Sequence, residues 1–268
     1  MMSTTGAMQG PLVSIICATF NDSEKLAPTL INALSQVMAS YEVLVVDGGS
    51  KDDTVELLAS LQTQHECLSY VSEPDKGIYD ALNKGVSLAK GKYLLVLNAG
   101  DTFSDNNALQ RLSLAVTESN QPFIVARAKY YYPARKLYKQ DSPSLPSPYT
   151  AEICHQAFLY QKDLHHRLGP YSLELKSAAD YDFFMRLLKA GYKFEKINDT
   201  VVTRGKYGDD TSEQPLNTIE MIKVDFKNGV LKHTVTRRIK SLIIKCIRLW
   251  RKKLLCSFTT YHSTSIKT

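Results

Sequence analysis

Short apolar runs alternate with stretches of helical periodicity along the first half of the chain, and this alternation constrains the fold more than any other feature. The runs at residues 13–18, 41–47, 68–72, 93–98 and 123–128 predict buried strands. Strands that are apolar throughout are buried on both faces, as in parallel sheets that carry helices on each side. The sequence therefore predicts an α/β fold with an open, mostly parallel sheet.

The stretches between these runs predict helices. Residues 26–37, 55–64 and 78–89 carry apolar side chains at the spacing of one helical face. Asp52 or Asp53 is placed to cap the second of these helices, because a carboxylate can accept hydrogen bonds from unpaired amides at a helix start. A helix after each strand is the connection that parallel strands require.

The pattern changes beyond about residue 130. Prolines at positions 133, 143, 146 and 148 predict a mobile loop rather than a core element. Further on, residues 179–190 predict a helix that Gly191 ends, and residues 192–197 predict an edge strand. The adjacent His165 and His166 are interpreted as a solvated turn. The second half is thus less regular than the first.

The composition is that of an ordinary globular protein. Of the 268 residues 44% are hydrophobic and 22% charged, which excludes a wholly disordered or collagen-like chain. The five cysteines are scattered and form no C-x-x-C pair, so neither a zinc knuckle nor a redox motif is expected, and a reducing cytosolic compartment is favoured. Neither a signal peptide nor an apolar run of about 18 residues is visible, and no transmembrane helix is predicted.

The net charge of +6 is unevenly distributed. Residues 226–268 contain 11 Lys and Arg and no acid, which leaves 22 Lys and Arg against 27 Asp and Glu before them. On a helical wheel, residues 232–255 separate into an apolar side (Val235, Ile239, Leu242, Ile243, Cys246, Leu249, Trp250, Leu254) and a basic side (Arg237, Arg238, Lys240, Lys245, Arg248, Arg251, Lys252). Such a helix suits an anionic membrane surface, with packing on the catalytic domain as the alternative. The acidic body argues against nucleic acid as a partner.

Polar clusters follow three of the predicted strands at the point where each strand ends. They are residues 19–22 (TFND), 47–50 (DGGS) and 98–101 (NAGD). Because carboxyl ends of parallel strands meet at one edge, where ligands bind, we expect these clusters to line one crevice, although turn formation would explain any one of them. Asp47 can accept hydrogen bonds from a ribose or a base, and Asp101 can bind a hard cation through oxygen.

Four segments, in this order, resemble the inverting glycosyltransferases of family 2. They are residues 14–22 (SIICATFND), 45–54 (VVDGGSKDDT), 73–85 (EPDKGIYDALNKG) and 93–103 (YLLVLNAGDTF), of which the third is the most specific. The similarity is greatest to bacterial enzymes that build O-antigen and other surface polysaccharides. It implies a GT-A-like, nucleotide-sugar-binding fold.

The resemblance also implies how the chain is divided. It indicates an N-terminal extension at 1–10, a catalytic domain at 11–214 with a donor-binding half at 11–130 and an acceptor-side half at 131–214, and a basic helical tail at 215–268.

Donor-side roles are implied residue by residue. Asp47 matches the family's nucleotide-binding acid, Thr19 and Asn21 lie on the neighbouring loop, and Asp75 matches the position that contacts the base or ribose. Residues 98–101 match the family's metal-binding acidic motif, in which Asn98 and Gly100 replace the more common residues. Asn98 is therefore assigned to the nucleotide sugar, and Asp101 to a divalent cation, Mn²⁺ or Mg²⁺.

On the acceptor side, residues 153–158 (ICHQAF) are similar to a His-Gln segment near the sugar or acceptor, which points to His155 and Gln156. Residues 179–187 (ADYDFFMRL) resemble the acidic motif at the start of a helix that carries the catalytic base, which implies Asp180 as the base and Asp182 as its neighbour. Inverting transfer needs one such base to take the proton of the acceptor hydroxyl. Without the resemblance, Asp180 would be interpreted as a first-turn acid stabilised by the helix dipole, and His155 as a structural histidine.

Together these features predict an inverting hexosyl- or N-acetylhexosaminyltransferase. The resemblance implies a nucleotide diphosphate sugar, UDP-linked, as the donor and a polyprenyl-diphosphate-linked glycan of O-antigen or capsule as the acceptor. The expected location is cytoplasmic, peripheral on the inner face of the cell membrane. A catalytically inactive nucleotide-sugar-binding or membrane-scaffold protein is the alternative, motivated by Asn98 and Gly100.

Overall fold

The structure, a computed structural model, describes residues 10–38, 40–132, 136–140, 154–205, 215–230, 235–236 and 238–247. The chain divides into two compact units, Met1–Gly208 and Asp209–Thr268. The first unit contains the sheet and its covering helices. The second unit is helical wherever it is described, apart from the residues that end its first helix.

The described strands of the first unit form one nine-stranded sheet. They are β1 (Val13–Thr19), β2 (Tyr41–Asp47), β3 (Leu68–Ser72), β4 (Tyr93–Val96), β5 (Thr102–Phe103), β6 (Phe123–Tyr132), β7 (Leu137–Gln140), β8 (Phe158–Gln161) and β9 (Glu195–Gly205). Their order across the sheet is β3-β2-β1-β4-β8-β6-β9-β5, and β7 pairs with β6. The four strands predicted between residues 13 and 98 are therefore adjacent in space.

Most strands run in one direction, which confirms the predicted mostly parallel sheet. β1 pairs in parallel with β2 and β4, β2 with β3, and β6 with β9. β8 is antiparallel to both β4 and β6, and β5 and β7 are antiparallel to their partners. An antiparallel β8 between β4 and β6 joins the two parallel parts into one sheet.

Two predictions for the second half differ from the structure. β9 is longer than the strand predicted at 192–197, and it lies between β6 and β5 rather than at an edge. Most residues of β9 are exposed or only partly buried, and this polar character is typical of an edge strand. Within the predicted loop, Leu137–Gln140 pairs with β6 as β7, while the prolines at 133, 143, 146 and 148 lie outside the described residues.

Helices cover both faces of this sheet. They are α1 (Ser23–Leu34), α2 (Thr54–Gln64), α3 (Ile78–Leu88), α4 (Ala108–Ser119), α5 (Asp163–Leu168) and α6 (Ala179–Lys189). Apolar residues of α1, α2 and α4 pack on one face, and those of α3, α5 and α6 pack on the other. Because β1 and β2 are sandwiched between these layers, every β1 residue is buried.

Two local sequence signals can be seen in the structure, one at the start of α2 and one where α3 crosses the sheet. Asp53 occupies the cap position of α2, and the Oδ1 atom of Asp52 accepts hydrogen bonds from the amide (3.2 Å) and the hydroxyl (2.6 Å) of Thr54. Gly85 lies where α3 crosses β1, since a Cβ atom there would be 2.5 Å from Cγ2 of Ile16. The glycine thus lets α3 approach the sheet closely.

The second unit begins with α7 (Pro215–Asn228), and residues 235–236 and 238–247 are also helical. Arg238 is buried, and its Nε donates a hydrogen bond to Oδ2 of Asp225 at 2.6 Å. The prediction that Arg238 belongs to the outward basic side is therefore wrong, because this cation pairs with the last acid of the chain. Among the described residues, no helix is both long and apolar enough to cross a membrane.

Candidate active site

The carboxyl ends of β1, β2 and β3 lie side by side. Thr19 is in register with Asp47, and Asp47 is in register with Ser72. The amide of Gly48 donates to the carbonyl oxygen of Thr19 at 2.9 Å, which joins the first two polar loops. β4 follows on the other side of β1, and Asn98 comes two residues after its end. The edge that the sequence predicts is therefore formed.

Asp47 is completely buried at this edge. Its Oδ2 atom accepts hydrogen bonds from the amides of Gly49 (3.2 Å) and Ser50 (3.0 Å) and from the hydroxyl of Ser72 (2.6 Å). The Ser50 hydroxyl also donates to Oδ1. These bonds compensate for the burial of a carboxylate and fix the loop after β2. The contact with a nucleotide that the sequence predicts for Asp47 stays a prediction.

Asn21 ties the loop after β1 to the loop after β2. Its amide donates to the hydroxyl of Ser50 at 2.7 Å, and its Oδ1 atom accepts from the amide of Lys51 at 2.7 Å. Asn21 has a φ angle of 49°, a left-handed conformation that asparagine tolerates better than most residues. The hydroxyl of Thr19 is buried and has no hydrogen-bond partner within the described part of the chain.

Asp75 and Phe20 approach the same loop from two sides. A Cβ atom at Gly48 would be 2.7 Å from Oδ2 of Asp75 and 3.2 Å from Cδ2 of Phe20, so only glycine leaves both side chains in place. Oδ1 of Asp75 accepts from the amide of Gly77 at 2.7 Å. The Phe20 ring is 60% exposed beside this carboxylate. Sequence reasoning assigned Phe20 no role, although an aromatic residue within a polar cluster was the available signal.

Asp101 is nearly buried at the end of the NAGD cluster. Its Oδ1 atom accepts a hydrogen bond from the amide of Gly205 at 3.1 Å, which connects the cluster to β9. Its carbonyl oxygen accepts from the hydroxyl of Thr29 at 2.8 Å, and the same hydroxyl accepts from the amide of Gly100 at 2.9 Å. The cluster is thus held between α1 and β9.

Asn98 supplies a second oxygen atom in this turn. Its Oδ1 atom is buried and has no hydrogen-bond partner among the described residues. The described part of the chain contains no group of three or more His, Cys, Asp or Glu side chains suited to a metal. One carboxylate and one amide oxygen fit a cation such as Mg²⁺, which uses one or two protein carboxylates and takes other ligands from phosphates and water.

The two acids at the start of α6 have different environments. Asp180 is half-exposed, and its Oδ1 atom accepts a hydrogen bond from the Tyr79 hydroxyl at 3.0 Å. Asp182 is 2% exposed, and its Oδ2 atom accepts from Nε of Arg186 at 2.9 Å. The Arg186 guanidinium also donates to the carbonyl oxygens of residues 168, 169 and 170. Asp182 therefore supports the fold around α5, and the solvent-facing carboxylate is that of Asp180.

His155 lies at the end of a buried hydrogen-bond network. Its Nε2 atom is 2.9 Å from the hydroxyl of Tyr171, which is 2.7 Å from the hydroxyl of Tyr160. Burial lowers the pKa of His155, the nearby Arg204 lowers it further, and the negative charge of Asp180 opposes the effect. Gln156, the other residue of the predicted segment, is 3% exposed, so it lies beneath His155 rather than facing solvent.

The same network shows that the solvated turn predicted for His165 and His166 is wrong for His165. His165 is 7% exposed, its ring stacks on Phe183 with centroids 4.3 Å apart, and Nε2 is 3.0 Å from the Tyr160 hydroxyl. Burial lowers the pKa of His165 to about 3, so the ring is neutral at physiological pH. His166 is exposed, as predicted, but both histidines lie in the helix α5 rather than in a turn.

An open, mostly parallel sheet with polar loops at its carboxyl edge and a carboxylate at the start of a nearby helix is the architecture of a GT-A-like glycosyltransferase. Solved structures share this fold. A mannosyltransferase from Pyrobaculum calidifontis in complex with GDP-Man and Mn²⁺ aligns with a TM-score of 0.69 and 15% identity, over 94% of this chain and 80% of that one. Staphylococcus aureus TarS 1–349 in complex with UDP-GlcNAc aligns with a TM-score of 0.63 and 17% identity, over 86% of this chain and 70% of that one.

The sequence profile of Glycosyl transferase family 2 matches residues 14–181, and the chain belongs to this family. A PGL/p-HBAD biosynthesis glycosyltransferase of Mycobacterium bovis is 29% identical over 224 residues, which cover 74% of this chain and 83% of the relative. A chondroitin synthase of Pasteurella multocida is 27% identical over 212 residues, 78% of this chain and 22% of that protein. The chain likewise spans 42% of a longer TarS structure. The chain thus spans less than half the length of that chondroitin synthase and of that TarS structure.

Proposed function

We propose that this protein is an inverting glycosyltransferase that uses Asp180 as its catalytic base and a nucleotide diphosphate sugar, UDP-linked, as its donor. One observation carries the proposal: a half-exposed carboxylate at the start of α6 accepts a hydrogen bond from Tyr79, in the helix that follows β3, while the neighbouring acid is buried in an ion pair. Of the two acids in this motif, Asp180 is the one available to a substrate.

In the proposed reaction, the acceptor hydroxyl oxygen attacks the anomeric carbon of the donor sugar in line with the departing diphosphate. Asp180 takes the hydroxyl proton, a new C–O bond forms, and the bond to the diphosphate breaks with its electron pair leaving on the nucleotide. A positioned carboxylate contributes about 10²–10⁴-fold to such a step. A single displacement inverts the anomeric configuration and needs no second, nucleophilic carboxylate.

For the donor, Thr19, Asn21, Asp47 and Asp75 form the expected nucleotide side, supported by their position at the carboxyl ends of β1–β3. The exposed ring of Phe20 beside Asp75 is suited to stack on a base. Asp101 would hold a divalent cation, Mn²⁺ or Mg²⁺, and the buried oxygen of Asn98, which the sequence assigns to the nucleotide sugar, would be a second oxygen close to it in the same turn. When bound, the cation offsets the charge that develops on the departing diphosphate.

The proposed acceptor is a lipid-linked glycan of a bacterial surface polysaccharide or glycolipid. The second unit supports contact with an anionic membrane surface through residues 232–255, because Ile239, Ile243, Ile244 and Ile247 are between 44% and 54% exposed along one helical segment. Lys240 is exposed next to them, and each basic residue near an anionic bilayer contributes about 1 kcal/mol. Trp250 and residues 248–255 of the predicted amphipathic helix lie outside the described residues.

His155 and Gln156 belong to the acceptor side in this proposal, as does Asp182 through its support of α5.

The test is a panel of UDP-Glc, UDP-Gal, UDP-GlcNAc, UDP-GalNAc and GDP-Man with the purified protein, with and without Mn²⁺ or Mg²⁺. Binding is followed by calorimetry and turnover by nucleotide release, which separates hexosyl from N-acetylhexosaminyl specificity. Asp180→Asn is expected to lower turnover by about 10²–10⁴-fold with UDP affinity unchanged. Asp163→Asn, which removes an exposed acid on α5, is the matched control.

Two results would contradict the proposal. Full turnover of Asp180→Asn would remove Asp180 from the base role. Donor binding without turnover, across all acceptors tested, would favour an inactive nucleotide-sugar-binding or scaffold protein.

Membrane contact is tested separately by sedimentation with phosphatidylglycerol vesicles, where Ile243→Glu is expected to weaken binding. Equal binding of the wild-type protein to neutral vesicles would argue against a role of the basic residues in membrane contact.

A further inference from the structure

Tyr79 connects the most specific motif of the chain to the carboxylate at the start of α6. Its hydroxyl donates to Oδ1 of Asp180 at 3.0 Å, across 101 residues of sequence. The backbone of Ala179 and Asp180 acts to lower the pKa of Tyr79, against the larger effect of burial, so the first turn of α6 lies next to this hydroxyl. Because Tyr79 is only 8% exposed, few other groups compete for the bond. The hydroxyl therefore lies against both the first turn of α6 and the carboxylate that this turn presents.

The Tyr79 hydroxyl can only act as the hydrogen-bond donor toward the Asp180 carboxylate. Burial, followed by the negative charge of Asp180, raises the pKa of Tyr79 well above its usual value. The phenol is therefore protonated at physiological pH, and a protonated phenol can satisfy a carboxylate only by donating its hydrogen. A hydrogen bond to a charged group is stronger than one between neutral groups and is shorter and more directional.

The helix that carries Tyr79 is itself fixed. Asn83, one turn further along the same face of α3, donates from Nδ2 to the carbonyl oxygen of Tyr171 at 3.0 Å and accepts from the Tyr171 amide at 2.9 Å. The Tyr171 ring lies 5.9 Å from the Tyr79 ring, centroid to centroid. At the start of α3, Asp75 lies against the loop after β2. The position of the Tyr79 hydroxyl thus follows from contacts on both sides of the site.

We propose that Tyr79 is a positioning residue for the reaction: it holds one oxygen of Asp180 so that the other oxygen faces the acceptor hydroxyl. This inference rests on the proposed function of Asp180 as the base. It gives a role to the tyrosine at the centre of the 73–85 motif, whose hydroxyl bonds to the first turn of α6. A carboxylate held at one oxygen has fewer rotamers, and misplacement of a base by about 1 Å can cost about 10²-fold in rate.

The test compares Tyr79→Phe with Tyr41→Phe and the wild-type protein, with the donor that gives turnover in the panel. Tyr41 is a suitable control because its hydroxyl donates to the carbonyl oxygen of Leu34 at 3.1 Å, at the opposite end of β2 from the site. For Tyr79→Phe, we expect kcat to fall about 10- to 100-fold, with the acceptor KM and the UDP Kd changed by less than about twofold. Tyr41→Phe is expected to retain wild-type kcat.

Each outcome decides the proposal. Unchanged kcat in Tyr79→Phe, with wild-type turnover normal, would overturn the inference and leave the proposed function intact. A loss of UDP affinity equal to the loss of kcat would overturn it as well, because the residue would then act on the donor loops. A wild-type protein that binds UDP but transfers nothing would overturn both. A fall in kcat alone, with an unfolding midpoint close to that of Tyr41→Phe, supports the positioning role.

Discussion

The two carboxylates that the sequence assigns to the donor and to the catalytic base, Asp47 and Asp180, are held in opposite ways. Asp47 is buried and, within the described residues, accepts four hydrogen bonds from donors no more than 25 residues away. Asp180 is half-exposed and accepts a side-chain hydrogen bond from a residue 101 positions away. The first carboxylate thus fixes a loop, whereas the second is less buried and is the one that we propose as the base.

Replacing Asp182 should lower the stability of the protein more than replacing Asp180, Asp47, Asp75, His165 or Phe20. Asp182→Asn leaves the Arg186 guanidinium, which is 21% exposed, without the buried carboxylate that it pairs with; we expect a cost of about 3 kcal/mol, the lower end of the range for a buried ion pair, because Arg186 retains some contact with water. Asp180→Asn is expected to cost less than about 1 kcal/mol, because a half-exposed first-turn acid is stabilised mainly by the helix dipole. Urea unfolding of both variants measures the difference, and equal losses would contradict the distinction between the two acids.

Replacing Asp47 should separate loop building from ligand binding. Asp47→Ala leaves the buried amide and hydroxyl of Ser50 unpaired and removes the acceptor of the Ser72 hydroxyl, so we expect the free energy of unfolding to fall by about 2–3 kcal/mol and UDP binding to weaken. Asp75→Ala should weaken UDP binding with little loss of stability, because Asp75 is only partly buried. Thermal unfolding and calorimetry with UDP test the pair. If Asp47→Ala were as stable as Asp75→Ala, the loop would not depend on the buried carboxylate.

The buried histidine of the second half predicts that the stability of the protein depends on pH. Burial lowers the pKa of His165 to about 3, whereas an unfolded histidine titrates near 6.5, so the unfolded state binds the proton more readily. The neutral histidine therefore contributes fully to stability above about pH 6.5, and this contribution is lost as the pH falls toward 3. At pH 5 the loss amounts to about 2 kcal/mol. Unfolding at pH 7 and pH 5 should show a smaller decrease for His165→Gln than for the wild type. His166→Gln, at an exposed position, should behave like the wild type.

Phe20 gives the smallest expected effect. If its exposed ring stacks on the base of the donor, Phe20→Ala should weaken UDP binding by about 1 kcal/mol, roughly fivefold, without changing stability. Phe20→Trp keeps an aromatic face and should retain binding. Calorimetry with UDP measures both variants, and an unchanged affinity for Phe20→Ala would assign base recognition to other residues of the edge.

Sequence patterns were sufficient for the donor-side half because its strands and helices alternate regularly, and each of them has a clear local periodicity. The strands at 41–47 and 68–72 have the predicted bounds, and the ends of β1 and β2 meet as parallel pairing requires. The order of the second half was harder to predict. β8 runs antiparallel between β4 and β6, and β9 lies inside the sheet, because pairing between distant strands leaves only a weak periodic signal in either strand.

Burial also changed the interpretation of single residues. His165 was interpreted as solvated because two adjacent histidines are polar, yet its ring fills the space between Tyr160 and Phe183. Arg238 fitted the basic side of a helical wheel, which describes one helix alone and contains no information about Asp225. In both residues the polar group is satisfied by a partner that local spacing does not reveal.

The sequence by itself determined the α/β class, the positions of the first strands and helices, the polar clusters at the strand ends and the membership suggested by the 73–85 motif. These follow from periodicity and turn chemistry, which act over a few residues. The tertiary structure alone decided which acid of the α6 motif is exposed and which is paired, and that Tyr79 meets Asp180. Those contacts depend on how elements a hundred residues apart pack against each other, and no local pattern records that geometry.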